Sequence, residues 1–325
     1  MHLRLPLLAL GHRIKGLLNI HPIDTAPTLL CWWGSMPGGA TIGDLMAVNN
    51  LSAELHARGH EHAVLSHPRF ASDGHIKCRT LPVVRSEVHT LVFVCGPLLG
   101  SPRLLTLFRM FPAARKLAVG VSVLSGERTI NHLVAQFVAR DGMSPCFFDL
   151  ALNESKAVPA PPRDRPLRVG LCLRGQQPEY GRTNCKAGRA EALLERAAAT
   201  MSPRPVRIST ELADNPPDQI RSQLDEVDIV LTTRLHGALL TLARGKPVIA
   251  IDQIAGGAKV LPLLTRIEWP YVLPVETASE QQLHGMVRTI MDRWPVSEIV
   301  HSQALALRLS RQAVQESAQA VTQTR

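Results

Sequence analysis

Residues 233–237, Thr233-Arg234-Leu235-His236-Gly237, stand between two runs of β-branched and apolar residues. Lys259 follows the Gly256-Gly257 pair a short way downstream. A planar guanidinium binds carboxylate or phosphate through two parallel hydrogen bonds. An imidazole gives and takes a proton near neutral pH. An ammonium adds a second positive charge. This set reads as chemistry on a small anion, with Arg234 and Lys259 holding it and His236 moving a proton. Arg174, directly after the apolar run 167–173, offers another guanidinium. A metal centre is not expected. The chain has no Cys-x-x-Cys, and no Cys or carboxylate completes a set with His56, His60 and His62. Gly59 ends the preceding helix, and these histidines read as exposed groups at its end.

The elements that must carry these residues follow from patterning. Residues 228–232 read as a strand, 233–236 as a turn, 237–244 as a helix and 247–251 as a second strand. Continuous apolar strands suit a sheet covered on both faces, and a helix between them makes the pair parallel neighbours. Ligands of open parallel sheets bind at the carboxyl ends of the strands. Arg234 and His236 sit at that end. They also sit where a helix begins, so unpaired N–H groups and the helix dipole favour an anion at the same spot.

The same alternation runs through the rest of the chain. A strand at 28–33 leads into a Gly-rich loop and a helix at 45–58, the layout of an anion-binding crossover without a GxGxxG spacing. In that loop Gly43 and Asp44 are candidates, with Asp44 either capping the helix or holding acceptor hydroxyls. Strands are expected at 90–95, 117–123 and 146–150. Helices are expected at 102–116, interrupted by Pro112, and at 131–140. Four prolines among charged residues mark a linker at 157–166. Beyond it come strands at 167–173, 205–209 and 271–274 and helices at 188–200, 217–226 and 279–292, the last capped by Thr277. A long amphipathic helix closes the chain at 304–322. This gives domains at 1–156 and 167–303, and a terminal helix, 304–325, long enough to cross back onto the first domain.

Composition bounds the partners. The 325 residues include 36 Lys and Arg against 27 Asp and Glu, a formal net charge of +9, which suits anionic ligands. Seven Phe, four Trp and two Tyr are few for base stacking, and no nucleic-acid partner is expected. Six cysteines without redox spacing suit a reducing cytoplasm. The apolar run at 5–10 is too short to span a bilayer. With Arg4, Arg13 and Lys15 it suits an amphipathic helix, either capping the domain or lying against the inner membrane surface.

Thr-Arg-Leu-His-Gly, a helix, then Gly-Lys-Pro-Val-Ile-Ala-Ile-Asp and a downstream Lys resembles the C-terminal signature of polysaccharide pyruvyl transferases. Gly43-Asp44 matches the end of that family's Gly-Asn-x-Gly-Asp turn, with Thr41 in place of Asn. The resemblance implies an α/β fold of two Rossmann-like domains facing a cleft, similar to GT-B glycosyltransferases. It implies transfer of the pyruvyl group of phosphoenolpyruvate onto two sugar hydroxyls of a glycan or lipid-linked saccharide, with no cofactor. Its site would use His236 and Arg234 in catalysis. Arg174, Lys259, Thr233, Leu235, Gly237, Asp44 and Gly43 would bind substrate. Two alternatives share the architecture: a glycosyltransferase using a nucleotide sugar, and a non-catalytic glycan-binding protein. The sugar and the direction of proton transfer at His236 stay open.

Overall fold

The computed structural model of the chain describes residues 22–23, 26–36, 39–78, 83–84, 88–162 and 164–323. The expected N-terminal helix lies outside them. The strands are β1 (Pro22–Ile23), β2 (Thr28–Trp32), β3 (His62–Ser66), β4 (Ile76–Lys77), β5 (Val83–Val84), β6 (Thr90–Pro97), β7 (Arg115–Ser122), β8 (Gln136–Asp141), β9 (Val169–Cys172), β10 (Val206–Arg207), β11 (Ile229–Thr232), β12 (Val248–Asp252) and β13 (Val272–Pro274). The helices are α1 (Ile42–Ala57), α2 (Pro102–Met110), α3 (Arg128–Asn131), α4 (Ala187–Met201), α5 (Pro217–Glu226), α6 (Leu235–Ala243), α7 (Val260–Arg266), α8 (Glu280–Asp292) and α9 (Val296–Thr322).

Two parallel sheets organise the chain. The first runs β4-β3-β2-β6-β7-β8 and the second β10-β9-β11-β12-β13. β1 and β5 pair separately. Each order reverses once, between β2 and β6 and between β9 and β11. At such a reversal the connections leave in opposite directions and open a crevice outside the carboxyl ends. The sheets are apolar for the expected reason. Leu29, Leu30, Val92, Val94, Val230 and Ile249 have no exposed surface, and each fully buried aliphatic side chain of this kind contributes about 1.5–3 kcal/mol. α1 covers the first sheet through the stripe Leu45, Val48, Leu51 and Leu55, spaced to share one helix face.

Several expectations need correction. Residues 131–140 are not a helix: only Arg128–Asn131 is helical, and Gln136–Asp141 is the edge strand β8, paired with β7. Leu117, Ala118 and Val119 offer an unpaired edge to Gln136, Phe137 and Val138, and sheet pairing overrides the local pattern. Residues 146–150 are not a strand. α2 stops at Met110, short of Pro112. α8 is capped by Ser279, whose Oγ accepts from the Gln282 N–H, rather than by Thr277. His60 and His62 are not exposed helix-end groups. His60 Nε2 lies 2.9 Å from Thr28 Oγ1, and His62, within β3, has Nε2 2.7 Å from Ser52 Oγ.

The terminal helix and a pair of loop hydrogen bonds are among the ties between the two halves. α9 begins at Val296 and packs against α1 and α6. Its buried small residues Ala306, Ser310, Ala313 and Ala318 permit close approach. Ser310 Oγ donates to the Asp149 carbonyl at 2.6 Å and accepts from Leu152 N–H at 3.2 Å. Across the cleft, Ile42 N–H donates to the Thr210 carbonyl at 2.9 Å and Leu212 N–H to the Ala40 carbonyl at 2.8 Å. Those bonds join the loop after β2 to the loop after β10. Among the described residues, no helix is long and apolar enough to cross a membrane.

Candidate active site

A cavity of about 490 Å³ opens where the two switch points face each other. The first domain lines it with Thr41, Asp44, Gly96 and Arg140, among others. The second contributes Arg174, Glu211, Thr233, Arg234, Leu235, His236 and Lys259.

α6 begins two residues earlier than expected, with Arg234 as its N-cap and His236 in its first turn. No side chain caps this end, so its first N–H groups remain available to an anion. Thr232 ends β11 and shapes the turn: its Oγ1 donates to the Cys172 carbonyl at 2.6 Å and accepts from Arg234 N–H at 2.9 Å. Thr233 Oγ1 accepts from Arg174 N–H at 2.8 Å, which ties the β9 loop to the β11 loop. Thr233 thus positions Arg174 as well as lining the cavity.

The two arginines do converge, but on a protein carboxylate. Arg234 Nη1 donates to Glu211 Oε1 at 2.7 Å and to Thr210 Oγ1 at 3.3 Å, while its Nε donates to the Leu173 carbonyl at 2.8 Å. Arg174 Nη1 pairs with the same Glu211 Oε1. Lys259 differs. Its ammonium makes no ion pair among the described residues and lies 5.7 Å from the Tyr180 ring centroid. Burial pushes its pKa down to about 8, and the positive charges of Arg140 and Arg174 push the same way. Asp252 holds the Lys259 backbone in place. Its Oδ2 accepts from the N–H groups of Ala258, Lys259, Val260 and Leu261 at 2.9–3.2 Å.

Two expected binding residues do not line the cavity. Gly43 lies beneath the imidazole, and a Cβ there would overlap the His236 ring. A Cβ at Gly237 would come 2.7 Å from Thr232 Oγ1 and 2.8 Å from Cys172 Sγ. Both glycines give room to neighbouring side chains. Asp44 takes part in capping α1, one of the two roles expected of it. Its Oδ2 accepts from Thr41 N–H at 2.9 Å and Thr41 Oγ1–H at 2.8 Å, closing a capping box, and it lines the cavity.

Four participants were missed: Thr41, Arg140, Asp149 and Glu211. His236 Nδ1 lies 3.2 Å from Thr41 Oγ1, and Nε2 lies 3.2 Å from Asp149 Oδ2. Arg140, at the end of β8, donates to Asp149 Oδ2 at 2.6 Å, Asp141 Oδ2 at 3.1 Å and Ser122 Oγ at 2.8 Å. Burial alone would raise the Asp149 carboxyl, but the charges and hydrogen bonds of His236 and Arg140 hold it below the usual carboxylate range. Only Thr41 left a signal: it stands three residues before Asp44, the spacing of a capping box.

Cys95, Asp149 and His236 bring potential metal ligands within 4.8 Å of one another. The place of a cation is taken by the Arg140 guanidinium, with Nη1 2.6 Å from Asp149 and 3.9 Å from Cys95 Sγ. Burial raises the Cys95 thiol well above its ordinary pKa, against the thiolate a metal requires. Cys95 itself has φ 63°, a backbone strain of about 1–3 kcal/mol for a non-glycine residue, of a kind that clusters at functional sites.

Two parallel-sheet α/β domains facing a cleft define a GT-B-like protein. The crystal structure of a putative UDP-N-acetylglucosamine 2-epimerase from Listeria monocytogenes is 9% identical, covers 90% of this chain and 95% of its own, and superposes with a TM-score of 0.53. MurG from Acinetobacter baumannii is 12% identical, with 91% of this chain and 99% of its own covered, at a TM-score of 0.47. At 9% identity the likeness to the first of these is one of fold alone. Comparison with curated proteins gives no match. A segment of the chain, residues 178–253, matches the polysaccharide pyruvyl transferase family model. It contains Arg234 and His236, while Arg174 and Lys259 lie outside it.

Proposed function

We propose that the chain transfers the pyruvyl group of phosphoenolpyruvate to two hydroxyls of a sugar in a cell-surface polysaccharide or its precursor. One observation carries this reading: an ammonium without an ion pair among the described residues, two arginines, an uncapped helix N-terminus and an imidazole face one cavity at the switch points of both sheets. Phosphoenolpyruvate offers a carboxylate and a phosphate, and Lys259, Arg174, Arg234 and the α6 N–H groups suit both. In the reaction the methylene carbon takes a proton and the adjacent carbon becomes electrophilic. One sugar hydroxyl adds there. Phosphate then leaves, and the second hydroxyl closes the ketal. Of the two hydroxyl protons, one balances the new methyl group and the other the released phosphate. His236 is the group that moves protons. The cations neutralise the leaving phosphate.

The test is phosphate release from phosphoenolpyruvate with a suitable acceptor. His236→Ala and Arg234→Ala are expected to lower the rate by at least about 100-fold. Full activity in both variants removes the site assignment. Thermal stabilisation by a nucleotide sugar, with no response to phosphoenolpyruvate, supports the glycosyltransferase reading instead.

A further inference from the structure

The geometry points to Asp149 as the residue that positions His236, acting from the opposite domain and presenting Nδ1, through the Thr41 hydroxyl, to the cleft. This rests on the reading of His236 as the proton-moving group. Asp149 has no exposed surface. Its Oδ1 accepts from Ala151 N–H at 2.9 Å, and its Oδ2 accepts from Arg140 at 2.6 Å and faces His236 Nε2 at 3.2 Å. Two ring-facing facts follow. An ionised carboxylate has no hydrogen to give, so the ring proton sits on Nε2. Nδ1 is then the atom that exchanges protons.

Nδ1 faces Thr41 Oγ1 at 3.2 Å. That hydroxyl also lies 2.8 Å from Asp44 Oδ2, and both Thr41 and Asp44 line the cavity. The single Thr41 proton has two acceptors within reach. When Nδ1 is unprotonated, Thr41 donates to it. When Nδ1 carries a proton, that N–H donates to Thr41 Oγ1, and the hydroxyl turns to Asp44. The second state holds one proton more than the first: a ligand hydroxyl in the cavity gives its proton to Thr41 Oγ1 as the Thr41 proton passes to Nδ1, and the imidazole gains charge without rotating.

The arrangement spans the domain boundary. His236 belongs to the second domain, while Asp149, Thr41 and Asp44 belong to the first. The backbone bonds Ile42–Thr210 and Leu212–Ala40 fix the loops that bring them together. An imidazole oriented this way exists only while the domains are docked.

Nitrogen-15 NMR of the imidazoles in the full-length wild-type chain, with His236 assigned through His236→Gln, reads the tautomer without any acceptor. The expected signature is a protonated Nε2 in the neutral ring. A neutral ring protonated on Nδ1 overturns the proposal. Asp149→Asn is expected to shift that signature and to lower kcat at least about 100-fold, with stabilisation by phosphoenolpyruvate retained. Thr41→Ser should stay within a few-fold of wild type, whereas Thr41→Val should lose most of the rate. An unchanged ring signature and kcat in Asp149→Asn contradict it. If wild type neither binds phosphoenolpyruvate nor releases phosphate, the functional reading falls, and the ring signature alone still decides the role of Asp149.

Discussion

Arg140 and Lys259 line the same cavity from opposite domains, and their surroundings differ in kind. On the β8 side every donor is answered. Arg140 is 2% exposed and meets Asp141, Asp149 and Ser122. On the β12 side Lys259 makes no ion pair among the described residues, and Arg174 and Arg234 share one carboxylate between them. Two buried guanidinium–carboxylate contacts make a rigid frame, since removing one partner strands the other in low dielectric. Unanswered cations make a binding surface. On the function proposed above, the first domain positions the imidazole and the second holds the ligand.

That contrast can be broken by substitution. Arg140→Ala is expected to cost about 3–5 kcal/mol of folding stability, because it leaves the Asp149 charge buried without its guanidinium partner. Lys259→Ala should leave the melting temperature near that of wild type and weaken phosphoenolpyruvate binding ~10–100-fold, the range of a charge-assisted hydrogen bond. Denaturant melts and calorimetric titrations separate the two. Equal losses of stability would erase the distinction between frame and binding surface.

Gly43→Ala sharpens it from the framing side. The added methyl overlaps the His236 ring, and a displaced imidazole should lower kcat by about 100-fold while ligand affinity changes little. The smallest effect is expected at Glu211. Glu211→Gln removes the carboxylate that Arg174 and Arg234 share, and phosphoenolpyruvate should bind tighter by about five-fold at most, the worth of a part-exposed ion pair. Weaker binding in that variant would mean that Glu211 orders the arginines rather than competing for them.

The same division explains what could be read from the residues alone. The second domain's share of the site is local. Thr233, Arg234 and His236 are consecutive with a strand end and a helix start, so patterning places them, and Lys259 follows on the next crossover. The first domain's share is assembled from distant points. Arg140 was hidden because the 131–140 stretch carries a helical pattern and becomes a strand only by pairing with β7. Asp149 sits outside any helix or strand, where no periodicity marks it. Its role appears only when α6 from the other domain arrives. Glu211, in the second domain, meets Arg174 and Arg234 from a loop far from either in sequence. Contacts made between domains leave no spacing in the chain.

Calorimetric titration of phosphoenolpyruvate into wild type and Lys259→Ala, at pH 7 and again at pH 9, tests the central claim most directly. Lys259 is charged below its pKa of about 8 and neutral above it. Wild-type affinity should therefore fall as pH rises through that value, and the Lys259→Ala affinity should be weak and nearly flat. Wild-type binding that is equally tight at both pH values, or unaffected by the substitution, would contradict a cleft whose free cation holds the ligand.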